Sequence, residues 1–102
     1  GKLPFWLCPE QIIIANITDK HVEFALEIEK MFKDSGFRSS LDLRNEKIGY
    51  KIREHIIAKI PYVVIIGEKE VSSRSISVRE HDGTEHNLIS VDDFISKLSS
   101  KK

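Results

Sequence analysis

The chain has 102 residues, enough for one domain that buries a core without a disulfide or a metal. Hydrophobic residues make up 40% and charged residues 31%, an ordinary globular balance. Apolar runs such as Ile12-Ile13-Ile14-Ala15 and Val63-Val64-Ile65-Ile66 are far too short to span a bilayer. The 16 Lys and Arg match the 16 Asp and Glu, which argues against a chain charged throughout for nucleic acid. A single cysteine, Cys8, excludes an internal disulfide and suits a reducing compartment. No signal peptide is visible, and the Gly1-Lys2 start, without an initiator methionine, reads as an expression remnant or a cut within a longer protein.

In chain order, Gln11 to Ile17 is apolar and rich in β formers, which predicts a buried first strand. Thr18 or Asp19 then caps a helix in which Val22, Ala25, Leu26 and Phe32 recur at helical spacing. Ser35-Gly36 stops it, with Gly36 in the left-handed capping position. Phe37 to Leu43 predicts a second strand. Asn45 opens a helix with Ile48, Ile52 and Ile56 on one stripe, and Pro61 ends it. Tyr62 to Ile66 is a continuous apolar run, hence a central strand, and Gly67 turns the chain. Ile76 to Arg79 alternates. Asp82-Gly83 signals a hairpin, and His86 to Ile89 returns from it. Ser90 with Asp93 makes a capping box for a last helix that buries Val91, Phe94, Ile95 and Leu98. Lys101-Lys102 complements its C-terminal dipole. The order predicts an α/β domain: one mixed sheet of about five strands flanked by about three helices, the first three strands mutually parallel.

Charge is uneven along this order. From Arg38 to Lys59 six basic residues face three acids, and the stretch from Asp82 to Leu98 is acidic. Arg44 and Lys47 crowd the start of the second helix, where the dipole is already positive, an arrangement that favours an arriving anion. Lys47 and Lys51 are four apart and share a face opposite the isoleucine stripe, which offers a phosphate-facing surface. The plainer alternative is a solvated face with local pairs such as Lys47 with Glu54. Gly49 costs this helix about 1 kcal/mol against alanine; either a close approach or simple packing accounts for it. Asn45 is an N-cap or an amide that reads a base edge. Glu70 and Arg79 lie by the end of the central strand, where open sheets bind ligands. Each suits a base edge; the alternative is a charged loop and an exposed strand residue. The four histidines have no metal-ligand spacing, and no phosphate loop, dinucleotide fingerprint or nucleophile elbow is present. No catalytic residue and no metal ligand is assigned.

Several segments resemble one family. These are Trp6-Leu7-Cys8-Pro9-Glu10-Gln11, Asn16-Ile17-Thr18-Asp19, Leu43 to Glu54, Ile60-Pro61-Tyr62 and Gly67-Glu68-Lys69-Glu70-Val71. They look like the C-terminal anticodon-binding domain of bacterial-type threonyl-tRNA synthetases, class II enzymes, in register from about residue 5 to 98. The whole chain, 1–102, is then one anticodon-binding domain. The resemblance implies a mixed five-stranded sheet and an anticodon loop of threonine tRNA as partner, with the central G and third-position U checked. It implies anticodon contacts by Asn45, Arg53, Glu70 and Arg79, with Arg44, Lys47 and Lys51 as RNA-backbone candidates. The parent would be a cytoplasmic, homodimeric threonine–tRNA ligase. Its ATP, magnesium and zinc would sit in a catalytic domain absent from this chain, which would not catalyse the reaction alone. The competing expectation is a protein-interaction or accessory module on the same fold.

Overall fold

The computed structural model describes residues 7–44, 46–80 and 82–100. In order, the elements are β1 (Ile12–Asn16), a short 3-10 turn (Asp19–His21), α1 (Val22–Asp34), β2 (Ser39–Asp42), α2 (Ile48–Ile57), β3 (Tyr62–Ile66), α3 (Glu68–Ser73), β4 (Ile76–Glu80), β5 (Glu85–Ile89) and α4 (Val91–Ser99). The sheet runs β2-β1-β3-β4-β5. β1 pairs in parallel with β2 and β3, and β4 is antiparallel to both β3 and β5. β3 is central, and β1 up to Ala15 and β3 are apolar because both of their faces are covered.

Side-chain alternation splits the sheet into two faces. Ile12, Ile14, Tyr62, Val64, Ile66, Ile76 and Val78 join Phe24, Ala25, Ile28 and Phe32 of α1 and Val91, Phe94 and Leu98 of α4 in the main core. Its centre is a run of edge-to-face rings: Phe37 to Phe32 at 6.4 Å, Phe32 to Phe94 at 5.8 Å and Phe94 to Tyr62 at 5.4 Å. α2 packs on β1 and β3 from the other side, where alternation points Ile13 and Val63, and buries Ile52.

The described residues form four helices, one more than expected. The addition is α3, in residues expected to turn the chain and form a charged loop. Six residues are too few to show helical periodicity in sequence. α2 begins at Ile48, with Lys47 in the N-cap position; Asn45, expected to start it, lies outside the described residues. Leu26 was expected on the buried face of α1 but is 48% exposed, and Ile28 takes that role. Thr18 accepts from the Lys20 N–H and caps the 3-10 turn, from which α1 continues directly. The Ser90 hydroxyl accepts from the Asp93 N–H at 3.1 Å and caps α4. In the hairpin, Glu80 N–H donates to Thr84 O and Gly83 takes φ +95°. The β4–β5 register shifts between Ile76 and Val78, and Leu88 is left-handed at φ 53°.

The two crossover helices end alike. After α1, Phe37 N–H bonds to Phe32 O and Gly36 N–H to Lys33 O, with Gly36 at φ 90°. After α2, Ile60 N–H bonds to His55 O and Lys59 N–H to Ile56 O, with Lys59 at φ 63°. This is the Schellman pattern, which glycine adopts freely and an L side chain adopts at a cost. Lys59→Gly is expected to stabilise the domain by about 0.5–1 kcal/mol, the left-handed cost less glycine's extra chain entropy. A urea midpoint equal to or below that of the wild type contradicts this.

Candidate nucleic-acid interface

α1 carries the chain from β1 to β2 over one face, and α2 carries it from β2 to β3 over the other. The β2-β1-β3 order therefore places a topological switch between β1 and β3, where open sheets form a crevice outside the carboxyl ends of the strands. Asn16 and Ile17 leave β1 here, and Ile66 and Gly67 leave β3. Ile17 N–H donates to Ile66 O at 2.9 Å. A Cβ on Gly67 would meet Ile17 Cδ1 at 2.5 Å and Glu70 Oε1 at 2.9 Å, so glycine is what permits this approach. Ile17, expected inside a buried strand, is 44% exposed at the crevice.

Glu70 is buried in α3. Its Oε1 accepts from the Gly67 N–H at 2.8 Å and its Oε2 from the Ser77 hydroxyl at 2.9 Å. A carboxylate has about four acceptor positions, so both oxygens keep capacity after these bonds. Arg79 is two residues beyond Ser77 in β4, on the same face of the sheet. It is half-buried and pairs with Glu85 of β5 at 2.9 Å. The structure thus brings Glu70 and Arg79 together on one face, each held by an internal partner.

Lys51 departs from the sequence expectation. It was expected on an exposed, phosphate-facing side of α2 with Lys47. It is instead buried to 1% exposure. Its Nζ donates to Asn16 O at 3.1 Å, Asn16 Oδ1 at 3.0 Å and Asp42 O at 3.2 Å. Oxygens from the ends of β1 and β2 replace water around the ammonium, which is the condition for burying a charge. The stripe of α2 that faces the sheet therefore includes Lys51 alongside Ile52.

The Asp42 carboxylate organises the next layer. Arg44 grips it through Nε and Nη2, both at 2.8 Å, and His55 Nε2 lies 2.6 Å from Oδ2. These bonds, Arg44 first and His55 after it, hold the Asp42 carboxyl well below its ordinary range, against the opposing push of burial. Arg44 also pairs with Glu54 at 2.7 Å, and its own pKa is raised by Asp42 and then Glu54. The Glu54 carboxyl is held low by Arg44 and then by the neighbouring Tyr50 phenol, which Glu54 pushes up in turn. The Arg44 guanidinium lies 6.0 Å from the centre of the Tyr50 ring. As an RNA-backbone candidate Arg44 is thus already engaged in cis. Lys47 and Arg53 are exposed. The structure gives neither an ion pair among the described residues. No acid occupies the first turn of α2, whereas α1, α3 and α4 each carry at least one there. Gly49 is exposed with nothing within 4 Å of its missing Cβ, so packing does not require it.

The sequence matches the family described as "Anticodon binding domain" over residues 11–101. The chain belongs to the anticodon-binding domain family. It is similar to the threonine–tRNA ligases of Alkalilimnicola ehrlichii (48% identical over 101 residues, 99% of this chain and 16% of that protein) and Halorhodospira halophila (44% over 100 residues, 98% and 16%). The domain thus spans about one sixth of the length of these relatives. Among solved structures it resembles the RNA-binding domain of threonyl-tRNA synthetase from Cryptosporidium parvum Iowa II. There the TM-score is 0.92 with 37% identity, over 99% of this chain and 26% of that one. A prolyl-tRNA synthetase of Cryptosporidium parvum shares the fold at TM-score 0.86 and 22% identity, over 98% of this chain and 22% of that one. The mixed five-stranded architecture is the one that these neighbours display.

The anticodon-binding domain carries two features at its crevice to which the sequence reading gave no site role: the exposed Ile17 and the Asn16 amide. Their signal was their place at the carboxyl end of a strand beside the switch point, which needs the strand order to be visible. Among the described residues, no group of three His, Cys, Asp or Glu is placed to hold a metal, and no helix is long and apolar enough to cross a membrane.

Two outcomes follow from the buried charges. Lys51→Met strands three strand-end acceptors and is expected to cost about 1–3 kcal/mol of stability, read by urea denaturation. It should leave the salt dependence of RNA binding unchanged, the opposite of what a phosphate-contacting lysine gives. Because the folded pKa of Asp42 is depressed from the ordinary 3.8, its contribution is complete above roughly pH 4 and is lost as pH falls below that. Asp42→Asn should therefore lower stability at neutral pH and flatten the acid limb of a stability-against-pH curve; an unchanged limb would show that the ion pair contributes nothing.

Proposed function

We propose that this chain grips the anticodon loop of threonine tRNA and discriminates its bases, as the C-terminal domain of a threonine–tRNA ligase. The observation that carries this reading is the likeness, over nearly the whole chain, in sequence to threonine–tRNA ligases and in shape to the RNA-binding domain of a threonyl-tRNA synthetase. The local geometry supports it. RNA loops are read with their bases splayed out, and the switch-point crevice offers a carboxylate, Glu70, to accept from base amino or imino groups. Arg79 on the same face presents a fork for a base edge. Lys47 at the start of α2 and Arg53 within it supply positive charge without an ion pair among the described residues, for phosphate in the first case and for the anticodon in the second. Ile17 offers an apolar surface to an unstacked base.

In this reading Arg44 acts indirectly, by fixing the chain before α2. Lys51 is a structural post and leaves the set of RNA-backbone contacts. Asn45 is retained as a base reader by its place in the matched segment. The parent's ATP, magnesium and zinc belong to a catalytic body outside these residues. That parent is a homodimer in the cytoplasm, and the ligation of threonine to tRNA takes place there, with this domain supplying recognition only.

The test is fluorescence anisotropy of the chain with a labelled threonine-tRNA anticodon stem-loop, against the same loop with its central G replaced. Tighter binding to the authentic loop is expected; equal binding to both contradicts base reading. Arg79→Ala should shrink the difference between the loops by about 1–3 kcal/mol, if the scale of base readout in DNA applies. Lys47→Ala should instead weaken both loops alike and reduce the salt slope by roughly 0.7, the loss of one phosphate contact to a single strand.

A further inference from the structure

The outer side of α2 holds an exposed aromatic ring that the anticodon contacts do not use. Tyr50 keeps 54% of its surface in solvent in the first turn of α2. The ring does not swing freely. Arg44 stands 6.0 Å from its centre, and Arg44 is itself pinned by Asp42 at 2.8 Å and Glu54 at 2.7 Å. Ordering an exposed aromatic with three charged residues gives the folded chain little on its own, since surface pairs contribute at most about 1 kcal/mol. The same brace removes the entropy that a ring would otherwise lose on meeting a ligand.

The neighbours of the ring suit one kind of ligand. Lys47 lies three residues before Tyr50 and Arg53 three after, so cations flank the ring along one side of the helix. Both are exposed and without an ion pair among the described residues. Glu46, just before the helix, is the exposed acid nearby, which leaves these three residues with one net positive charge, while Asp42 and Glu54 are consumed by Arg44. Next to the ring, Gly49 leaves the backbone bare, with open space where a side chain would stand. A braced aromatic between cations, beside exposed backbone, is the combination that holds single-stranded nucleic acid by stacking.

We infer that the Tyr50 ring is a stacking platform for one unpaired base of the bound RNA loop, held in position by Arg44. This inference rests on the anticodon-loop reading above.

The test uses the 102-residue chain with the threonine-tRNA anticodon stem-loop, with each unpaired position replaced in turn by the fluorescent base 2-aminopurine. In the wild type, one position should be quenched on binding, as stacking on tyrosine requires. Tyr50→Phe should keep that quench and bind within threefold of the wild type. Tyr50→Ala and Tyr50→Leu should lose the quench and weaken binding by roughly 5- to 150-fold, the range for a base stacked on an aromatic ring. Both are good helix formers at an exposed position, so the fold should survive. Wild-type affinity and quench in Tyr50→Ala overturn the stacking role while the anticodon reading stands. A Tyr50→Phe as weak as Tyr50→Ala also overturns it, because the phenol and not the ring would then matter. If the wild-type chain binds neither the authentic nor the altered loop, the anticodon reading falls and the stacking role falls with it.

Discussion

One buried ammonium holds the recognition edge of this domain together. Lys51 reaches inward from α2 and gathers the last oxygens of β1 and β2 around a charge that water does not reach. An ammonium is tolerated there only because each of its three protons finds an acceptor. The bond to Asp42 O and the bond to Asn16 O fix α2 against two adjacent parallel strands at once. That in turn sets where the chain before α2 begins, and so where Lys47, Tyr50 and Arg53 stand.

Outward from this point the charges alternate. Asp42 gives its backbone oxygen to Lys51 and its carboxylate to Arg44 and His55; Arg44 passes on to Glu54 and stands against the Tyr50 ring. The zero net charge of the sequence hides this order. Several of its acids are spent on internal partners, including Asp42, Glu54, Glu70 and Glu85. A neutral chain thereby keeps exposed cations where a polyanion would approach, and it does so without the self-repulsion of a uniformly basic surface.

The fold was legible wherever local pattern and burial agree. The apolar runs of β1 and β3, the Gly36 stop, the Asp82-Gly83 hairpin and the Ser90 cap all follow from short-range rules, and the structure places each close to its expected position. Lys51 was not legible, because spacing on α2 puts it beside Lys47 as an outward cation. What draws it inward is an oxygen cluster formed by strand ends, one of them 35 residues away. Ile17 failed for a related reason: its exposure depends on the strand order, which brings Gly67 beside it. α3 is too short for periodicity to declare it. Glu70 and Arg79 were singled out by their place after a central strand and by family likeness. That the same Ser77 hydroxyl holds Glu70 two residues from Arg79 required the structure.

The edges of the sheet carry a consequence for how the domain behaves in company. At one side β5 is out of regular step with β4 between Ile76 and Val78, and its Leu88 is turned into a left-handed conformation. At the other side β2 is only four residues long. An incoming strand needs a long, flat row of unpaired amides and carbonyls, and neither edge presents one. The backbone itself blocks further growth of the sheet. Molecules crowded together or tethered in a larger assembly are thereby protected from strand-to-strand aggregation without help from a covering partner.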